Sequence, residues 1–285
     1  MNRFYPFFWG GVIFVLGEAL TFAVVLTAQD YLESSRNLFP EIRLEFALAY
    51  FFGVVVAMGV VLFLIPIAKL RLVLKVFFAF LFFWGIFIVF GLVLPVAAAV
   101  AFATVGPAFW FFRPKIWLHN LLMLLALVSS AVVFGALFAP WTVLLLLLVI
   151  SIYDVVAVRF GYMLWMAKKL FESDTLPAFV LPRKMGSWLA DLKESDLRKL
   201  AEEKAPEREF AILGGGDIGF PLLLVVSVFF NYGLAGSLVT AATSVAGLVF
   251  AFWLQQVVLK GKPLPALAPI SFGSFIGFLI AHFVL

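Results

Sequence analysis

Three carboxylates lie inside apolar stretches of a 285-residue chain: Glu18, Asp154 and Asp217. An acid at the centre of a membrane helix costs about 2.5–3.5 kcal/mol on insertion scales, so it faces a partner or a cavity rather than lipid. Two such acids brought together can do more than satisfy one another. A few ångströms apart they cannot both ionise easily, and the pair shares one proton. The ionised member then takes a proton from water while the protonated member polarises a carbonyl, which is the chemistry of amide hydrolysis. That chemistry needs neither metal nor thiol. The chain has no cysteine, and its two histidines, His119 and His282, are far apart in sequence, so a thiolate or zinc site is not expected. No cofactor is expected.

The neighbours of two of these acids are unusual. Asp154 lies 14 residues before Lys168, roughly 21 Å along a straight helix. Ser151 and Ala157 flank it at i−3 and i+3, giving its face a hydroxyl and a small side chain suited to close helix approach. Arg159, at i+5, is off that face and reads as snorkelling toward headgroups. Asp217 follows Gly214, Gly215 and Gly216 and precedes Pro221. The glycines permit a loosened backbone. Pro221 has no amide hydrogen to give the Asp217 carbonyl. The expectation is a disorganised backbone on both sides of the acid, which survives at membrane depth only where protein or water satisfies it. A single intramembrane acid is as readily a packing carboxyl as a functional one, and Glu18 is read as structural. Tyr153 either hydrogen-bonds near the site or packs. Gln255, Gln256, His119 and Asn120 are read as ordinary polar residues near membrane interfaces.

A third element is "GKPLPALAPI", residues 261–270. Pro263, Pro265 and Pro269 delay a regular helix until about Pro269. The 17 residues from there to Leu285 make roughly 25 Å of helix, short of a ~30 Å hydrocarbon core. The Pro265–Ala266–Leu267 segment is therefore expected to dip into the same half of the bilayer as the acids, with backbone groups free to pair with an unwound peptide. Taken alone, it reads as a proline-rich helix entry.

Positioning these residues falls to a membrane bundle. The chain is 65% hydrophobic and 13% charged, more apolar than a soluble core can hide. Apolar stretches predict nine transmembrane helices over 6–28, 46–68, 73–94, 95–112, 116–139, 141–167, 210–232, 234–258 and 265–285, an all-α polytopic membrane protein. With the N-terminus and the even-numbered loops on one side, 17 of the 20 Lys and Arg fall there, two (Arg36 and Arg43) fall opposite, and Arg159 is within a span. This places the N-terminus in the cytoplasm and the C-terminus outside. It also explains the net charge of +4 without a nucleic-acid partner. The first span, carrying Glu18, reads as a retained helix rather than a cleaved signal. The chain divides into a six-helix part, 1–167, a cytoplasmic loop, 168–209, and a three-helix part, 210–285. The loop holds a semi-apolar piece, "LFESDTLPAFVLPRK", and a charged helix-prone piece, "LADLKESDLRKLAEEKAPERE".

Tyr153-Asp154, the Gly214-Gly215-Gly216-Asp217 run and Pro265-Ala266-Leu267 occur in that order on that span plan. Each motif alone is weak, but the ordered set resembles the presenilin and signal peptide peptidase family of intramembrane aspartyl proteases. The resemblance implies Asp154 and Asp217 as a catalytic pair and Pro265–Leu267 as a loop shaping the site. Tyr153 and the three glycines are site-shaping candidates beside them. It also implies cleavage of transmembrane segments of membrane-protein substrates in a cell membrane. The charge pattern gives the presenilin orientation, whereas "GGGDIGFP" is more similar to the peptidase branch. Small size, absent cysteine and a short sixth loop suggest a microbial, archaeal-type homologue that needs no obligate partner subunit and leaves room for a homo-oligomer. One competing reading is a proton-coupled transporter with a broken helix at Asp217, which predicts pseudo-symmetric halves that the sequence does not display. A nonenzymatic helix-binding or ion-leak protein is another, and prepilin-type peptidases share only the glycine-aspartate element.

Overall fold

The structure, a computed structural model, describes residues 5–38, 41–162, 165–166, 170, 175–192, 210–259 and 264–284. Six helical segments among these are long and apolar enough to cross a membrane, and two shorter apolar helices of 17 residues accompany them. In chain order they are α1 (Tyr5–Leu38), α2 (Leu44–Leu64), α3 (Ile67–Gly91), α4 (Val96–Phe112), α5 (Ile116–Gly135), α6 (Pro140–Arg159), α7 (Gly215–Trp253) and α8 (Leu267–Phe283). Prolines punctuate the turns from α2 to α6: Pro66, Pro95, Pro114 and Pro140. Each lacks the donor and has the fixed φ that end one helix and suit the start of the next. The predicted turn at Pro95 is present. The break predicted between 68 and 73 sits instead at Pro66, and α1 extends ten residues past the predicted limit of 28.

At 39 residues, α7 would be roughly 58 Å long if straight, about twice a hydrocarbon core. It is not straight. Gly233 has φ 76° and ψ −177°, a region essentially confined to glycine. Across it, the Ser237 hydroxyl donates to the Val225 carbonyl at 2.7 Å. Residues twelve apart in a straight helix are about 18 Å apart, so the chain doubles back at Gly233 into two arms, 215–232 and 234–253. This is the break expected between the seventh and eighth spans. A Cβ on Gly233 would meet nothing within 4 Å, so the cost of adding one is purely conformational. Gly233→Ala is expected to lower stability by about 1–3 kcal/mol, read in a denaturant or SDS titration.

The seventh predicted span requires a correction. Residues 210–214 form a strand, not the start of a helix. The strand β2 (Phe210–Gly214) pairs antiparallel with β1 (Ala178–Pro182), with Val180 opposite Ile212 and Ala178 opposite Gly214. An extended partner supplies the backbone hydrogen bonds that buried peptide groups require. All five β1 residues are buried. The semi-apolar piece of the sixth loop thus contributes the strand β1, and a short 3-10 turn, Met185–Leu189, follows it. Most of the charged helix-prone piece, 193–209, lies outside the described residues.

The chain forms two compact units. One comprises Met1–Gly10, Phe52–Ala126 and Gly161–Gly215. Its core joins Leu62, Leu70 and Leu74 to Ile116, Val180 and Phe210. The other comprises Gly11–Phe51, Leu127–Phe160 and Gly216–Leu285. Its core joins Leu147 and Ile150 of α6, Leu223 and Leu224 of α7, and Leu267 and Phe278 of α8.

Candidate active site

Helix α6 is mostly apolar, and burial distinguishes its faces. Leu147, Ile150, Ser151, Asp154 and Ala157 form one buried stripe at helical spacing, while Ile152, Val155 and Val156 are exposed as lipid-facing residues would be. Asp154 is 7% exposed. One turn before it, the Ser151 hydroxyl donates to the Ser271 hydroxyl of α8 at 2.9 Å. The small, polar face expected around Asp154 therefore is the face that receives another helix. Arg159 is exposed in the last turn of α6, as its off-face position predicts.

Asp217 is half-buried in the first turn of α7. The backbone before it is extended through Gly214, but from Gly215 onward it is helical and Pro221 lies within the helix. The expected loosening on both sides of the acid is thus corrected to one side. A proline in the seventh position of a helix removes a bond from the first full turn only, which the continuing helix tolerates. Gly215 is required for a different reason. Its amide donates to the Pro177 carbonyl at 3.0 Å, and a Cβ there would stand 3.0 Å from that oxygen.

Leu264 and Pro265 are outside any helix, Ala266 is in a turn, and α8 begins at Leu267, two residues earlier than expected. Pro269 occupies the first turn of α8, where its missing amide has no helical partner to lose. Leu267 is buried in the core that holds Ile150 and Leu224.

Aromatic contacts tie the acids' surroundings together. Phe51 of α2 packs edge-on against Tyr153 at 5.9 Å between centroids and against Phe220 at 6.1 Å. Tyr153 precedes Asp154, and Phe220 is one turn beyond Asp217. Phe51 and Phe220 pack against the core of the second unit, which also holds Leu267. The structure leaves Glu18 in α1, buried, with one carboxyl oxygen unpartnered among the described residues.

His119 and Asn120, read from sequence as ordinary polar residues near an interface, are buried, at 0% and 4% exposure. His119 Nε2 is 3.1 Å from the Ala178 carbonyl. The Asn120 side chain bonds both the carbonyl and the amide of Val180, at 2.7 and 3.0 Å. The only sequence signal was a polar pair near the start of an otherwise apolar span.

The chain matches a family model described as signal-peptide peptidase, presenilin aspartyl protease over residues 11–285. It is similar to a solved presenilin family intramembrane aspartate protease in a C222 crystal form, with 18% identity, a TM-score of 0.65, and coverage of 98% of this chain and 100% of that one. A second structure with the same description, in a P2 form, has 18% identity, a TM-score of 0.60 and 96% coverage of each chain. At that identity the likeness bears on the fold. No curated protein matches the chain.

Proposed function

The chain belongs to the signal-peptide peptidase and presenilin family of intramembrane aspartyl proteases, and we propose that Asp154 and Asp217 are the pair that does its chemistry. The ionised carboxylate takes a proton from water, and the water oxygen attacks the peptide carbonyl carbon. The protonated carboxyl donates to the carbonyl oxygen as it gains charge. The proton taken from water then passes to the amide nitrogen as the C–N bond breaks, and the former carbonyl oxygen returns its proton to the second carboxylate, which restores the pair. The observation that carries this reading is that Phe51 contacts both Tyr153, next to Asp154, and Phe220, one turn past Asp217, and packs against the core that holds Leu267.

Substrates are transmembrane segments of membrane proteins. A helix must unwind before its peptide bonds are accessible, and the non-helical Leu264–Pro265 backbone offers groups with which an extended segment can pair. The helices α1 to α6, the two arms of α7, and α8 act as nine spans in a cell membrane, with the N-terminus cytoplasmic by the charge asymmetry. The 168–209 loop joins the part carrying Asp154 to the part carrying the other two motifs, and no obligate partner subunit is needed. Incubation of the purified protein in detergent with a synthetic transmembrane peptide, read by mass spectrometry, should give paired fragments with the cut inside the apolar segment. Cuts confined to the flanking polar residues would overturn the assignment.

A further inference from the structure

We propose that Asn120 is a positioning residue for the protease, acting through the strand pair that delivers the chain to Asp217. The inference rests on the catalytic reading of Asp217. In an antiparallel pair, successive residues alternately turn their backbone groups toward the partner strand and away from it. Asn120 takes both the amide and the carbonyl of Val180, and His119 lies at the carbonyl of Ala178. Val180 and Ala178 therefore face outward from β2, and the residues between and beside them face inward. Pro177 obeys the same alternation: its carbonyl accepts from Gly215, extending the ladder one step past β2. Helix α5 thus stands where a third strand would, and the Asn120 amide substitutes for its backbone.

The same face of α5 continues to the next turn. A Cβ on Gly215 would lie 2.5 Å from the Met123 terminal methyl carbon, so Met123 abuts the first residue of α7. Lower on α5, the Ile116 amide donates to the Ala190 carbonyl, and Lys115 pairs with Asp191 at 3.1 Å. The segment from Ala178 to Leu192 is thereby fastened at both ends to α5 and the two residues before it. The strand β2 hangs on β1 and is covalently continuous with α7. Asp217 follows Gly215 by two residues, so its backbone continues directly from the clasped strand. The side chain type matters because only an amide presents a donor and an acceptor side by side. An aspartate accepts from the Val180 amide but donates to its carbonyl only when protonated.

The test compares Asn120→Ala and Asn120→Asp with the wild type in transmembrane-peptide cleavage and in amide hydrogen exchange over 210–214. For Asn120→Ala, kcat should fall about 10- to 100-fold, the scale expected when a reacting group loses its position, while KM changes much less and β2 amides exchange faster. For Asn120→Asp, activity relative to wild type should climb as pH falls, because the protonated acid restores the donor; a purely structural role would not give that profile. This variant also decides the matter if the alanine variant does not fold. Wild-type kcat with protected β2 amides in Asn120→Ala, or a flat relative pH profile in Asn120→Asp, overturns the proposal. An Asp217→Ala variant that still cleaves would instead overturn the catalytic reading, and the exchange of β2 amides would still report on the Asn120 clasp.

Discussion

Asp154→Asn and Asp217→Asn will each reduce cleavage of a transmembrane peptide by at least about 10³-fold, and the double variant will be no worse than either single one. Each carboxyl is assigned a proton transfer in the same step, and such roles contribute about 10²–10⁴ each. Groups that work as a unit lose nearly everything when one is removed, so the effects do not add. Asparagine keeps the shape and most of the packing, which isolates the chemistry: the Ser151–Ser271 bond and the core around Leu267 have no reason to change. An unfolding midpoint close to wild type should therefore accompany the lost activity. Glu18→Gln supplies the contrast, because that acid is buried in α1 and belongs to none of the three motifs; its cleavage rate should stay near wild type. Equal losses for Glu18→Gln would mean that any buried acid matters to folding and that the pair has no special role.

Much of this architecture was legible in residue types. Proline marked the break at Pro95 through its missing donor, and the break at Gly233, placed by the limits of two apolar stretches, rests on a φ only glycine tolerates. Ser151 announced a helix contact because small polar residues in lipid have few other uses. The strand at 210–214 was not legible. Five apolar residues read equally well as the end of a helix, and the partner that makes them a strand begins 32 residues earlier, across a charged segment. The part played by Phe51 was hidden for another reason. It is one of 36 phenylalanines, and nothing local separates a ring that bridges Tyr153 and Phe220 from one that faces lipid. Asn120 was visible as a polar residue in an apolar run, but its partner, the backbone of Val180, carries no signal in the side-chain sequence.

The packing of α8 allows the role of the Pro265–Leu267 segment to be separated from general stability. The second arm of α7 runs antiparallel to α8, and the Ser244 and Ser274 hydroxyls meet at 2.7 Å in the seam. A Cβ on Gly247 would stand 2.6 Å from the Pro269 carbonyl oxygen and 2.9 Å from Ile270 Cα. Both are backbone atoms and cannot rotate away, so Gly247→Ala must push the start of α8 outward. That start carries Leu267, and one turn on it carries Ser271, bonded to the helix of Asp154. At the other end of α8, a Cβ on Gly277 would meet Thr240 Cα at 2.6 Å and the Thr243 hydroxyl, an equally hard contact. Overpacking of this kind costs about 1–3 kcal/mol, and the two variants should lose similar stability. Their activities should differ. Gly277 is ten residues from Leu267, about 15 Å along the helix, and its strain can relax at the far end of the bundle. Gly247→Ala should cost about 10- to 100-fold in kcat, as expected when the site segment itself is displaced, and Gly277→Ala several-fold at most. Matching activity losses at matching stability would show that α8 serves only as scaffold, and that Leu267 has no closer part in the reaction.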